Sequence, residues 1–165
     1  MDWLDDFYQL SAALTDYKVA QLQGTGVGED YLEVLSTIIP HAILAELFGS
    51  YRSIVAENSA TPTEQLIRDG ILSNAKLGPV ARNIIKMWYL SIWYQMPEDW
   101  RQLYGKPNQG DPKYQDVQFV VSRNAYIQGL VWQTLGSHPM GAKQPGYGTW
   151  GDKPSDRSSI VSTTS

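Results

Sequence analysis

The hydrophobic pattern of the chain is helical along most of its length. Near the start, apolar residues recur every three or four positions, which places them on one helix face up to the glycines of "GTGVG" (24–28). Further helices are predicted at about 29–39, after Pro40, after a capping box formed by Thr61 and Glu64, at 79–96 and at about 122–135. Only "VQFVV" (117–121) alternates like a strand. The pattern predicts an all-α fold, a bundle of five to seven helices.

Proline and glycine become dense where the last predicted helix ends, and such a composition rarely supports a helix or a central strand. The stretch "HPMGAKQPGYGTWGDKP" (138–154) nevertheless carries Tyr147 and Trp150, which are large side chains of a kind usually buried. We expect a helical bundle domain over residues 1–136, an extended partner-binding tail over 137–154, and a disordered C-terminus over 155–165. The tail could cover its own bundle or lie along a second subunit.

The stretch "KMWYLSIWY" (86–94) places large apolar side chains around nearly the whole circumference of a predicted helix. A helix that is apolar all round must be buried all round. The sequence leaves two interpretations open: a central helix of the bundle, or a helix with one face on the core and another on a partner protein. The predicted partner contacts are Trp88, Tyr89, Trp93 and Tyr94 in this segment, together with His138, Tyr147 and Trp150 near and within the tail.

Composition and charge argue against several classes of site. The net charge of −4 does not favour a nucleic-acid surface, the chain has no cysteine for disulfides or thiolate metal sites, and no apolar run is long enough to span a membrane. His41 and His138 lie outside any zinc-binding motif. The residues thus indicate no metal-binding or cofactor-binding site, and they give no positive sign of a paired-carboxylate hydrolase, whose two acids would meet only in three dimensions.

Alternative functions remain open at this point. "SNAK" (73–76) has the S-x-x-K pattern, in which Ser73 would be the nucleophile and Lys76 its base in a small stand-alone hydrolase. "GTGVG" lacks the spacing of a dinucleotide-binding motif and is more simply a connector between helices. A cytoplasmic adaptor without a redox partner is a further alternative.

Three stretches of the chain resemble one protein family. They are "FYQLSAALT" (7–15), "IIKMWYLSIWY" (84–94) and "FVVSRNAYIQGLVWQTLGSHPMGAKQPGYGTWGDKP" (119–154). The family is the small (gamma) subunit of bacterial membrane-bound, FAD-dependent sugar and polyol dehydrogenases of the sorbitol dehydrogenase type. The resemblance covers most of residues 3–154 in order. It implies a helical, non-catalytic subunit without a cofactor of its own. Such a subunit binds the FAD-bearing large subunit of the glucose-methanol-choline type and supports its maturation and export.

The resemblance also implies a cellular setting. In the family, a cytochrome c subunit passes the electrons to quinone and holds the complex at the membrane, so we expect a periplasmic protein attached to the inner membrane through its partners. Trp88 and Tyr89 match the central aromatic pair of the family, and Tyr147 and Trp150 match its closing motif; none of these has a catalytic role there. The family's twin-arginine export signal is missing from this sequence, so we expect it to represent a mature form. Some members have a cysteine near the tail, and this chain has none.

Overall fold

Helices build most of the structure. The computed structural model describes residues 3–57, 59–105 and 113–139, and its helical character confirms the predicted all-α fold. The elements are α1 (Leu4–Thr15), α2 (Val19–Gly24), α3 (Gly28–Ile38), α4 (His41–Ala56), α5 (Thr63–Ile67), α6 (Leu77–Leu90), β1 (Ile92–Trp93), α7 (Glu98–Tyr104), β2 (Phe119–Val120), α8 (Arg123–Gln128) and α9 (Leu130–Thr134). Most of the predicted tail and the whole of 155–165 lie outside the described residues.

The first predicted helix is broken in two. Instead of continuing to the glycines of "GTGVG", α1 ends at Thr15, whose hydroxyl donates to the carbonyl of Ser11 at 2.8 Å. Asp16 then adopts the left-handed conformation with φ of 60°, which Asp tolerates better than most residues. The chain restarts as α2 after Lys18, whose backbone amide is capped by the side chain of Gln21 at 2.9 Å.

The centre of the core is aromatic. Trp88 on α6 stacks on Phe7 of α1, with ring centroids 6.0 Å apart, and meets Tyr31 of α3 edge to face at 4.9 Å. Such pairs contribute beyond the apolar area that they bury. The largest fully buried side chains are Trp88, Trp93, Tyr31, Phe7, Phe48, Leu10, Leu22, Leu35, Ile39, Leu44, Leu47 and Ile71. Helix α6 therefore runs through the interior and packs on α1 and α9.

The helix predicted after the capping box of Thr61 and Glu64 begins later than expected. Helix α5 starts at Thr63, with Pro62 in the cap position and no side-chain hydrogen bond to the cap. It continues directly into a π-helical turn, Arg68–Leu72, which packs on α4 and α6. The extra residue in this turn shifts the helix register just before the chain enters α6.

The helix predicted over 79–96 ends early, at Leu90. Ser91 takes the left-handed conformation with φ of 62°, and its amide donates to the carbonyl of Met87 at 2.8 Å. The next two residues form β1, which pairs antiparallel with β2 in the register Ile92 to Val120 and Trp93 to Phe119. The extended piece predicted within "VQFVV" is thus confirmed, and it takes its partner from the end of the aromatic segment.

The last predicted helix is present as two short helices separated by Gly129. The predicted cap is confirmed, because the Ser122 hydroxyl accepts from the amide of Ala125 at 3.0 Å at the start of α8. A Cβ atom on Gly129 would lie 3.0 Å from the carbonyl oxygen of Tyr89, so the glycine allows the α8–α9 junction to approach the end of α6. Gly136 follows α9 with φ of 61°.

Candidate functional site

Two of the predicted partner contacts are core residues. Trp88 is enclosed by rings of α1 and α3, and Trp93 is fully buried, with its indole nitrogen donating to Asp116 Oδ1 at 3.0 Å. The prediction that these two rings contact a partner is corrected here, because this chain encloses both of them. For the two tryptophans the structure therefore agrees with burial in the core: Trp88 lies in the central helix α6 and Trp93 in the adjoining strand β1.

The neighbouring tyrosines are only half-buried, and they contact different elements. Tyr89 Oη donates to the carbonyl of Thr15 at 3.1 Å, and its ring meets Tyr17 edge to face. Burial raises the pKa of Tyr89, with smaller contributions from Tyr17 and from Asp16. The Tyr89 hydroxyl thus stabilises the end of α1 as a neutral donor.

Tyr94 lies on another part of the surface. The ammonium of Lys86 is 4.7 Å from the centroid of its ring, a cation–π contact. Its carbonyl accepts from the side-chain amide of Asn83 at 2.8 Å, which fixes the backbone after β1 beside the middle of α6. Tyr89 and Tyr94 keep part of their rings accessible, but the structure does not bring them together.

Of the three predicted partner contacts in the tail, only His138 lies within the described residues. His138 is half-buried and follows the turn at Gly136. Tyr147 and Trp150 lie outside the described residues. Of the seven predicted partner contacts, the structure therefore places two in the core and three in half-buried positions.

The structure reveals a further apolar surface that the sequence analysis did not identify. It lies where the end of α6 meets β2, α8 and α9, and we call its exposed members Leu90, Val120, Tyr126 and Leu135 the C-terminal surface. Val120 is 53% exposed and Leu135 is 68% exposed, which is high for aliphatic side chains. Single exposed apolar residues are normal, and an interaction site would require these side chains to form one contiguous patch.

Hydrogen bonds hold this junction in place. Helix α8 is short, so its last carbonyls have no amide partner within the helix. The Ser91 hydroxyl donates to the carbonyl of Ala125 at 2.5 Å, and the indole nitrogen of Trp132 donates to the carbonyl of Tyr126 at 2.8 Å. The backbone carbonyl of Ser91 in turn accepts from the amide of Val121 at 2.9 Å.

A sequence signal for this surface exists in retrospect. Residues 117–139 contain one formally charged side chain, Arg123, in a chain that is 18% charged. Depletion of charge together with Tyr, Trp and Arg is the composition of an interface core. The helical pattern did not reveal these exposed side chains, because it cannot show which apolar positions of 122–135 are buried.

The Ser-Lys alternative finds no support in the local geometry. Ser73 is exposed at the end of the π-helical turn. The ammonium of Lys76 donates to Glu46 Oε2 at 2.6 Å, so its described side-chain partner is a carboxylate on α4. A general base has to reach the proton of its nucleophile, and no bond between Ser73 and Lys76 exists within the described residues.

A groove between α3 and α7 has a volume of about 310 Å³ and is bordered by Trp100, Arg101, Tyr114 and Asp116. The Asp116 carboxylate accepts there from the indole of Trp93 and from the backbone amide of Met96. Arg101 forms an ion pair with Glu98. Residues 3–57, 59–105 and 113–139 contain no cluster of His, Asp and Glu that could hold a metal ion. No helix within them is both long and apolar enough to cross a membrane.

Comparison with known proteins adds no identification: no protein-family model, no curated protein and no solved structure matches the chain. The resemblance to the dehydrogenase small subunits therefore rests on the three quoted stretches of sequence.

Proposed function

We propose that this chain is a non-catalytic small subunit of a membrane-associated, FAD-dependent sugar or polyol dehydrogenase. In this proposal it binds the FAD-bearing large subunit of the glucose-methanol-choline type, stabilises it and assists its maturation and export. The chain itself carries no flavin, and a cytochrome c subunit in the same complex accepts the electrons. The complex functions in the periplasm at the inner membrane.

One observation carries the proposal: the three stretches that resemble the family are distant in sequence but adjacent in the fold. "FYQLSAALT" lies on α1, "IIKMWYLSIWY" on α6 and β1, and the described part of the third stretch on β2, α8 and α9. Phe7 stacks on Trp88 between the first two stretches, and Ser91 bonds to Ala125 between the second and third. The three stretches that resemble the family therefore lie in one packed unit, which is compatible with a shared fold.

The physical role follows from what the bundle leaves outside its core. A large subunit that exposes an apolar groove would aggregate when it is alone, because contiguous apolar patches favour association. A helical subunit with half-buried tyrosines and an exposed apolar junction can cover such a groove. In this proposal Tyr89, Tyr94 and His138 contribute to the contact at their exposed edges, and Tyr147 and Trp150 of the tail are additional anchors.

The proposal is tested by producing the large subunit from the same genome with and without this chain. We expect soluble, yellow, FAD-loaded enzyme only when both chains are present, and co-purification of the two chains through a tag on the small one. The measurements are the yield of soluble large subunit and its flavin absorbance per protein. Full soluble, flavin-loaded large subunit in the absence of this chain, or no co-purification, would reject the proposed function.

A further inference from the structure

We infer that residues 140–154 of the free chain fold back onto their own bundle and cover the aromatic pair formed by Tyr126 and Trp132. The sequence left two positions open for the tail, its own bundle or a second subunit, and the described residues next to the tail favour the first. The inference concerns the chain before a partner binds, so it does not depend on the proposed function. In the proposed complex, Tyr147 and Trp150 would leave this pair for the large subunit.

Tyr126 and Trp132 form one continuous piece of aromatic surface. Their rings meet edge to face with centroids 5.4 Å apart, and the indole nitrogen of Trp132 donates to the carbonyl of Tyr126 at 2.8 Å. Tyr126 is 37% exposed and Trp132 is half-buried, so both side chains keep apolar area in contact with water. Within the described part of the chain, neither ring packs against a third aromatic side chain. A further apolar group can therefore cover the pair.

The chain leaves α9 through a turn that keeps it close to this pair. Gly136 has φ of 61°, and its amide donates to the carbonyl of Gln133 at 3.1 Å. The amide of Ser137 donates to the carbonyl of Trp132 at 2.8 Å. These two bonds form a Schellman motif, which ends a helix and redirects the chain. Pro139 is then buried, so the chain still lies against the bundle where the tail continues.

The distances favour docking within one molecule. Because Ser137 is bonded to the backbone of Trp132, and Pro139 is two residues further on, the tail starts within roughly 15 Å of the Trp132 ring. Eight residues in the extended form of proline-rich chains span roughly 25 Å, so Tyr147 can reach both rings. A short connection of this kind gives an effective concentration of about millimolar. At micromolar protein concentration, the tail therefore meets its own bundle far more often than a second copy.

The tail carries side chains that suit an aromatic surface. Proline-containing extended segments bind surfaces lined by tyrosine and tryptophan, because the proline ring is apolar and the backbone is already ordered. The stretch "AKQPGYGTW" (142–150) contains Pro145 followed by two large rings. In an extended segment with three residues per turn, Tyr147 and Trp150 occupy the same side. Both rings can then be buried against Tyr126 and Trp132 in one contact.

The test uses a spin label, which can be placed specifically because the chain has no cysteine. Ser155→Cys is a conservative change just beyond the proposed segment, and it gives the full chain a single thiol for a nitroxide. The nitroxide broadens the indole N–H signals of nearby tryptophans in the NMR spectrum, and the chemically reduced label gives the reference intensities. Trp132→Phe identifies the signal of Trp132.

Trp100 is the internal control. Its indole is bonded to the carbonyl of Lys76 at the start of α6, whereas Gly129, three residues before Trp132, lies against Tyr89 near the end of α6. The two ends of this 14-residue helix are separated by roughly 20 Å. We expect the label to remove most of the Trp132 signal and to leave the Trp100 signal unchanged.

Two further samples separate docking from mere proximity. In the labelled chain with Tyr147→Ala and Trp150→Ala, we expect the Trp132 signal to return, whereas Thr149→Ala, the matched control between the two rings, should keep it broadened. In a mixture of spin-labelled chain and isotope-labelled wild-type chain, we expect no broadening, because the contact is within one molecule.

Three results would overturn the inference. A Trp132 signal as intense as that of Trp100 in the labelled chain would place the tail elsewhere. Equal broadening with and without the rings of Tyr147 and Trp150 would show that these rings do not dock. Broadening of Trp132 in the mixed sample would assign the tail to a second copy. All samples contain this subunit alone, so such a result would leave the proposed function standing, and failure to bind the large subunit would leave this inference standing.

Discussion

Ser91 is the position at which a single side chain is expected to control both the end of α6 and the attachment of α8. Its φ of 62° is in the left-handed region, where a non-glycine residue is strained. Its buried hydroxyl donates to the carbonyl of Ala125 at 2.5 Å, one of the carbonyls at the end of α8 that no helix amide can reach. Two substitutions separate these effects: Ser91→Ala removes the hydroxyl and keeps the strain, and Ser91→Gly removes both.

The magnitudes follow from the two contributions. Loss of the hydroxyl leaves the buried carbonyl of Ala125 without its donor, which costs about 1–3 kcal/mol of unfolding free energy. Replacing an L side chain by glycine at positive φ relieves about 1 kcal/mol of strain, after allowance for the greater freedom of glycine in the unfolded chain. We therefore expect Ser91→Ala to be the least stable of the three proteins, with Ser91→Gly about 1 kcal/mol more stable than Ser91→Ala.

Urea denaturation followed by tryptophan fluorescence measures these differences, because the midpoint shifts in proportion to stability while the slope stays constant. In a thermal scan, each kcal/mol corresponds to about 2–4 °C for a chain of this size. Ser53→Ala, at an exposed position of α4, is the control and should change stability by less than about 0.5 kcal/mol. A Ser91→Gly protein that is no more stable than Ser91→Ala would refute the strain argument, and a Ser91→Ala protein as stable as the wild type would refute the hydrogen-bond argument.

Further predictions concern burial, close packing and a polar anchor. Burial raises the pKa of Tyr31 to about 12 from an ordinary value of 10.0. The stabilisation from the buried neutral hydroxyl is therefore complete below pH 10 and is lost as the pH rises toward 12. Tyr31→Phe should remove about 1.4 kcal/mol per pH unit of that decline, measured by urea denaturation across this range. Gly129→Ala would press a methyl group against the carbonyl of Tyr89, and we expect a loss of about 1–3 kcal/mol in thermal unfolding; wild-type stability would contradict the close approach. Asp116→Ala leaves the indole of Trp93 and a backbone amide without their acceptor, and should cost about 1–3 kcal/mol, whereas Asp116→Asn, which keeps one carbonyl oxygen, should cost less. Equal losses for the two Asp116 variants would argue against the hydrogen-bond explanation.

The fold class could be predicted from the sequence because helical periodicity is a local property. The caps were predicted less reliably, because Ser122 caps α8 as expected, whereas the helix after Thr61 has Pro62 in the cap position. Ser122 and the extended piece after residue 117 were identified correctly. The errors lie at Asp16 and Ser91, where the chain leaves a helix through a left-handed residue that is not glycine. Ser91 is held by its bond to the carbonyl of Ala125, and the carbonyl of Thr15, just before Asp16, accepts from Tyr89. Periodicity continues through both positions without a signal.

The candidate site was predicted less well than the fold, for a related reason. Large rings at consecutive positions indicate burial, but they do not show whether the enclosing surface belongs to the same chain. Trp88 is enclosed because α1 and α3 supply Phe7 and Tyr31. Trp93 is fully buried in the strand that follows, and its indole nitrogen is bonded to Asp116. A helix wheel extended through Trp93 could not show this, because the helix ends before that residue.

Stability and binding to the proposed large subunit can be separated by experiment, because the core residues near the end of α6 should affect only the first. Ser91 ends the central helix and bonds to the carbonyl of Ala125 in α8. Trp88 belongs to the core alone, and a truncation there should lower stability by about 3–5 kcal/mol. Provided that the variant is still folded at the assay temperature, its affinity for the large subunit should stay close to that of the wild type. If the Trp88 ring itself contacted the partner, the Trp88 variant would bind more weakly even where circular dichroism shows that the variant is fully folded. That result would contradict the assignment of Trp88 to the core alone.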